Sequence, residues 1–180
     1  MLDFYEKYFQ EMNICVTKVD HHQLTQIAEL VMETNKLGKK VIVVGNGGSA
    51  AMASHVAVDF TKAAGIRAIT FNDADLLTCF GNDYGYENWV EKALGFYADK
   101  GDLAILISSS GKSPNIINGA NKAREMGVKT VTLSGFLRDN PLKKLGDINL
   151  WADSNSYNVV EMTHHIWLVG IVDEIISLKS

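Results

Sequence analysis

The chain has 180 residues, 47% of them hydrophobic and 21% charged, a formal net charge of -4 and a pI of about 5.7. That length suits one domain burying roughly two-thirds of its unfolded surface. The balance excludes a disordered chain and a globally basic nucleic-acid binder, so no direct nucleic-acid partner is expected. Cys15 and Cys79 have neither disulfide-framework nor metal-type spacing. The first residues, MLDFYEKYFQEMNI, lack the apolar core of a signal peptide, and the longest apolar runs are too short and interrupted to span a membrane. These features lead to the expectation of a cytoplasmic protein without a membrane partner.

In chain order, residues 2–15 and 21–37 read as two helices. Leu24, Ile27, Leu30, Val31 and Asn35 keep helical spacing, and Gly38 supplies a stop. Short apolar runs follow at 41–44, 66–71, 103–108, 129–134 and 147–152, separated by helical stretches near 49–63, 86–98 and 114–126. Strands apolar throughout and alternating with helices imply an α/β fold, a parallel sheet covered on both faces. Residues 157–178 read as a long helix apolar on most sides, which requires cover from the core or from another subunit. One domain over 1–180 is expected, with helices at 1–37 leading into an αβα core and C-terminal helix at 38–180.

In such sheets ligands bind beyond the carboxyl ends of the strands, so the loops at 45–49, 72–83, 108–113 and 134–139 are the places to look. ISSSGKSPNII, Ile107–Ile117, sets Ser108, Ser109, Ser110 and Ser113 around Gly111, with Pro114 at the first helical position. Free backbone donors, hydroxyls and the positive end of a helix dipole suit a phosphate monoester. A helix cap with solvated serines is the plainer alternative, although one cap occupies one or two hydroxyls. The GKS triplet is not a nucleotide P-loop, because the first required glycine falls at Leu106.

The turn Gly45–Ala50, GNGGSA, allows positive φ and close approach to a ligand. It lacks the third glycine of a dinucleotide fingerprint, so no nucleotide cofactor is expected. FNDAD and FGNDYGY offer amides and carboxylates for sugar hydroxyls, or ordinary turn and capping chemistry.

Together VGNGGSA, FGNDYGY and ISSSGKS resemble the sugar isomerase (SIS) domain family, and more closely its phosphoheptose isomerases, over nearly the whole chain. The resemblance implies a flavodoxin-like, three-layer αβα fold with a five-stranded parallel sheet, a homotetramer and active sites at subunit interfaces. It implies conversion of sedoheptulose 7-phosphate to D-glycero-D-manno-heptose 7-phosphate, feeding lipopolysaccharide or capsule heptose synthesis.

By position, Asn46, Gly47, Gly48 and Ser49 would line the sugar site, Asn82 and Asp83 would contact substrate, and Ser108, Ser109, Ser110 and Ser113 would hold the phosphate. His55 falls on a family metal ligand. Asp59 stands where the family has a ligating, acid/base glutamate, and its side chain is one methylene shorter. The family's glutamine and histidine on the last helix fall at Val160 and Leu168, which can do neither job. His164 shares their helix face and is the expected proton-transfer partner of Asp59; His165, about 100° around the helix, is the poorer candidate, and the plainer alternative is that both are core or interface histidines. His55 and Asp59 alone are too few for a stable Zn2+ site, and His164 would be the third ligand. The alternative function is a catalytically weak phosphosugar-binding SIS protein, or an adaptor for the bacterial replication initiator.

Overall fold

A computed structural model describes residues 3–179. Two helices lead in, α1 (Phe4–Thr17) and α2 (His21–Lys36). Asp3 and Glu6 close a reciprocal capping box on α1, and the Asp20 carboxylate accepts from His22 N–H to start α2.

The core alternates strand and helix: β1 (Val41–Val44), α3 (Gly48–Lys62), β2 (Ala68–Thr70), α4 (Ala74–Tyr84), α5 (Trp89–Tyr97), β3 (Leu103–Ser108), α6 (Pro114–Glu125), β4 (Lys129–Ser134), β5 (Ile148–Trp151) and α7 (Tyr157–Ser177). All five strands are parallel, in the order β2-β1-β3-β4-β5. This is the flavodoxin-like arrangement expected.

β1, β3 and most of β4 are buried on both sides, so their alternate residues feed two cores. Val41, Val43, Ile105 and Leu133 pack under α1, α2, α3 and α7, while Ile42, Val44, Ala104 and Leu106 pack under α4, α5 and α6. The apolar α7 finds its cover within the chain: α1, α2 and α3 lie against it, and Trp167 donates to the Val16 carbonyl at 2.9 Å.

Two expectations need correction. The segment 72–83, read as a loop, is mostly the helix α4. Asp73 caps it by accepting from Asp75 and Leu76 N–H, and the apolar Leu76, Leu77 and Phe80 dock it on the second core. β2 is also shorter than the apolar run 66–71, because Ile66 N–H bonds back to Phe60 at the end of α3 rather than to a strand.

The amino end of the sheet is tied by a buried charge. Asp102, whose side chain is fully enclosed, takes the backbone N–H groups of Lys40 and Asp99 at 3.0 and 2.8 Å and the Lys40 ammonium at 2.6 Å.

Candidate functional site

β1 leads to β2 on one side of the sheet and β3 to β4 on the other, so the chain reverses direction between β1 and β3. The crevice at their carboxyl ends is the topological switch point, where parallel α/β sheets take ligands. The turn Gly45–Gly48 and the serine loop 108–113 both open there, and one cavity is lined by Asn46, Ser49, Ser108–Ser110 and Ser113.

The serine loop is held in place by its own bonds and by a neighbour. Ser108 Oγ and Ser113 Oγ lie 2.9 Å apart, Gly111 N–H donates to the Ser108 carbonyl, and Gly135 N–H donates to the Ser109 carbonyl. Gly111 takes φ +64°, and any Cβ on it would overlap the side chain of Asn140. Asn140 is buried and donates to Ser134 Oγ and to the Leu137 carbonyl, while Leu142 N–H donates to the Gly111 carbonyl. Ser113 is the N-cap residue of α6, yet its side chain makes no capping bond. The Ser113 hydroxyl is therefore turned to Ser108 rather than to the helix start, which leaves that start open to an anion.

On the other wall, Gly47 takes φ +54° and starts α3, again without a side-chain cap. Asn46 is fixed by reciprocal amide bonds with the buried Asn115 at 2.8 and 3.0 Å, and Tyr86 donates its hydroxyl to Asn46 Oδ1. Ser49 Oγ lies 3.5 Å from Ser109 Oγ, which joins the two loops.

The third wall is α7. Tyr157 and Glu161, one turn apart, line the cavity. The Glu161 carboxylate lies so close to Gly48 Cα that any Cβ there would overlap it. Burial pushes the Glu161 carboxyl above its usual range, and a hydrogen bond from Ser109 partly offsets this. The sequence reading missed both residues and missed Asn115; the signal available was only the spacing of Tyr157 and Glu161 on the apolar α7 and the place of Asn115 in the first turn of α6.

One further turn along the same stripe of α7 stands His165. Its Nε2 is 2.8 Å from His55 Nδ1, and His55 Nε2 is 3.1 Å from Asp59. Burial, then the neighbouring His55, push the His165 pKa down. The expected placement of His164 beside Asp59 is corrected by this geometry. His164 is fully buried, with Nε2 3.0 Å from the Ser134 carbonyl, and burial pushes its pKa down to about 4. It is therefore neutral at pH 7, donates from Nε2, and leaves Nδ1 buried without a partner. Val160 and Leu168 on its face are likewise fully enclosed.

Asn82 and Asp83 sit on the exposed end of α4, bonded to each other at 2.8 Å, and do not line the cavity. The ligand set expected for Zn2+, His55 and Asp59 with His164 as third, is not brought together. Both ring nitrogens of His55 are engaged, His164 faces β4, and no three His, Cys, Asp or Glu side chains are grouped to hold a metal ion among the described residues. No helix among those residues is long and apolar enough to cross a membrane.

A flavodoxin-like sheet with a serine-lined cavity at its switch point places the protein in the class of α/β folds that take ligands at the carboxyl ends of their strands. The SIS domain family model matches residues 5–135. A phosphoheptose isomerase of Aliarcobacter butzleri is 36% identical, with 93% of each chain covered, and phosphoheptose isomerase 1 of Campylobacter jejuni is 35% identical over 97% of this chain and 99% of the relative. The solved structure of phosphoheptose isomerase GmhA from Neisseria gonorrhoeae superposes with a TM-score of 0.89 at 27% identity, covering 96% of this chain and 97% of that one. The chain belongs to the SIS domain family, among its phosphoheptose isomerases, and is an isomerase enzyme.

Proposed function

We propose that the protein interconverts sedoheptulose 7-phosphate and D-glycero-D-manno-heptose 7-phosphate, supplying heptose for lipopolysaccharide or capsule. The observation that carries this reading is the uncapped start of α6, where the Ser108 and Ser113 hydroxyls lie 2.9 Å apart beside the Asn46 turn, an arrangement that suits a phosphate. The names of the relatives supply the sugar.

In the proposed reaction the serine loop anchors the phosphate and fixes the open-chain sugar along the α3–α7 groove. A proton leaves one of C1 and C2 and returns to the other through an enediol, while a hydroxyl proton moves between the two oxygens in the same sense, from O1 to O2 as the ketose becomes the aldose. Asp59 is the proposed carboxylate for this transfer, and His165, reached through His55, takes the partner role first expected of His164. No step runs through a metal.

The protein is proposed to work in the cytoplasm as a homotetramer with sites at its interfaces. Phe4, Tyr5 and Phe9 on α1 and Met162 and Ile166 on α7 leave apolar surface for such contacts. A neighbouring copy would also give Asn82 and Asp83 a route to substrate.

Incubation with sedoheptulose 7-phosphate, followed by NMR, should show the aldose forming and solvent deuterium entering at C2. The Ser108→Ala, Ser113→Ala pair should weaken sugar-phosphate binding by at least about 100-fold, since each hydroxyl bond to a charged group is worth about 1.5–3 kcal/mol. Binding without turnover would overturn the isomerase reading for this sugar in favour of a phosphosugar sensor. Absence of both would favour an adaptor role.

A further inference from the structure

Two helices, α3 and α6, begin at one cavity, and neither has a side-chain cap. Each start presents the positive end of a dipole, although at α6 Pro114 has no N–H and Ile116 N–H already bonds to the Ser113 carbonyl, so a ligand with two anionic groups would find two places to put them. The structure fills one of these places itself. The Glu161 carboxylate, carried on α7, rests against Gly48 at the first turn of α3 and accepts from the Ser109 hydroxyl. At the start of α6 the Ser108 and Ser113 hydroxyls meet each other, and among the described residues Glu161 is the one carboxylate lining the cavity.

We propose that Glu161 is a specificity residue: it reserves the α3 side of the cavity for neutral hydroxyl groups, so that the site takes phosphate monoesters of polyols and rejects phosphorylated sugar acids. This inference rests on the phosphosugar reading above. A hydroxyl beside the phosphate can donate to the Glu161 carboxylate and replace the bond now made by Ser109. A carboxylate in that position can donate nothing and meets a like charge at close range. Gly48 is part of the device, because only a residue without Cβ lets the carboxylate reach the helix start.

The test uses a matched pair that differs at one carbon. Glycerol 3-phosphate and 3-phosphoglycerate have the same three-carbon chain and the same phosphate; one ends in CH2OH and the other in a carboxylate. Affinities are measured by titration calorimetry at about pH 8, where phosphate monoesters (second pKa about 6) are dianions. Inorganic phosphate and sedoheptulose 7-phosphate are run alongside. Like charges about 5 Å apart in a partly solvated cavity should give the natural protein a preference of at least about tenfold for glycerol 3-phosphate. Glu161→Gln keeps the size and removes the charge, and should bring the two ligands to within about twofold by tightening 3-phosphoglycerate. Glu161→Asp should retain the preference.

Equal affinities for the pair in the natural protein, or an unchanged preference in E161Q, would overturn the proposal while leaving the phosphosugar reading intact. If the natural protein binds none of the four ligands, the phosphosugar reading fails and this inference falls with it. Circular dichroism checks the folding of each variant; should E161Q not fold, Glu161→Ala must show the same loss of preference, and a retained preference there would sink the proposal.

Discussion

Two stripes of α7, one residue apart in phase, have opposite chemistry. Val160, His164 and Leu168 face inward and are fully enclosed. Tyr157, Glu161 and His165 face the groove, the first two lining the phosphate cavity and the third meeting His55. Family position points to the first stripe, yet the polar contacts run along the second. The difference is about 100° of rotation, the step from one residue to the next on a helix. A histidine one place along can therefore serve the core or serve the groove, and its neighbours decide which.

Restoring the family histidine on the inner stripe should break the protein before it restores a site. Leu168→His replaces a fully buried side chain in the main core with a polar ring that has no partner, at an expected cost of about 4 kcal/mol in chemical denaturation. An unchanged midpoint would mean that the inner stripe is open to the groove after all.

The next effect concerns acid. The unfolded chain takes up a proton on His164 near the ordinary 6.5, and the folded chain only near 4. The unfolded state thus binds more protons in between, so stability falls as pH drops from about 6.5 to about 4 and is insensitive to this group above and below. The loss amounts to about 3 kcal/mol. His164→Leu should flatten that part of the pH–stability curve, and a slope that persists would assign it to other groups.

The outer stripe should show the reverse pattern. His165→Ala is expected to lower kcat by about 100-fold, the lower range for loss of a proton-transfer group, with little change in melting temperature. His164→Leu tested in the same assay should have the smaller kinetic effect above pH 7. The smallest effect expected is that of metal removal: dialysis against EDTA should leave the isomerisation rate unchanged, and a loss restored by Zn2+ would show that the groove rearranges to hold an ion.

Much of the fold was legible because apolar strands and amphipathic helices alternate cleanly, and the serine loop announced itself by composition. α4 was hidden because the polar residues in and just before it, Asn72, Asp73, Asp75, Asn82 and Asp83, look like loop; Asp73 is the helix cap and the two at the far end are simply exposed. Helix periodicity identified the 160–164–168 face but could not give its rotation relative to α3, which depends on tertiary packing. Glu161 escaped notice for a related reason. An acidic residue on an apolar helix reads as solvent-facing until Gly48 and Ser109 are seen against it.

The clamp of Asn140 on Gly111 bears on how the phosphate loop meets its ligand. A loop of serines and glycine would ordinarily be among the most mobile parts of a chain and would surrender that freedom on binding. Here the left-handed turn, the Asn140 side chain and the Leu142 bond settle the loop's shape as the sheet forms. Its entropy is lost in folding rather than at the encounter, so the affinity for phosphate is not diminished by the work of ordering its receptor.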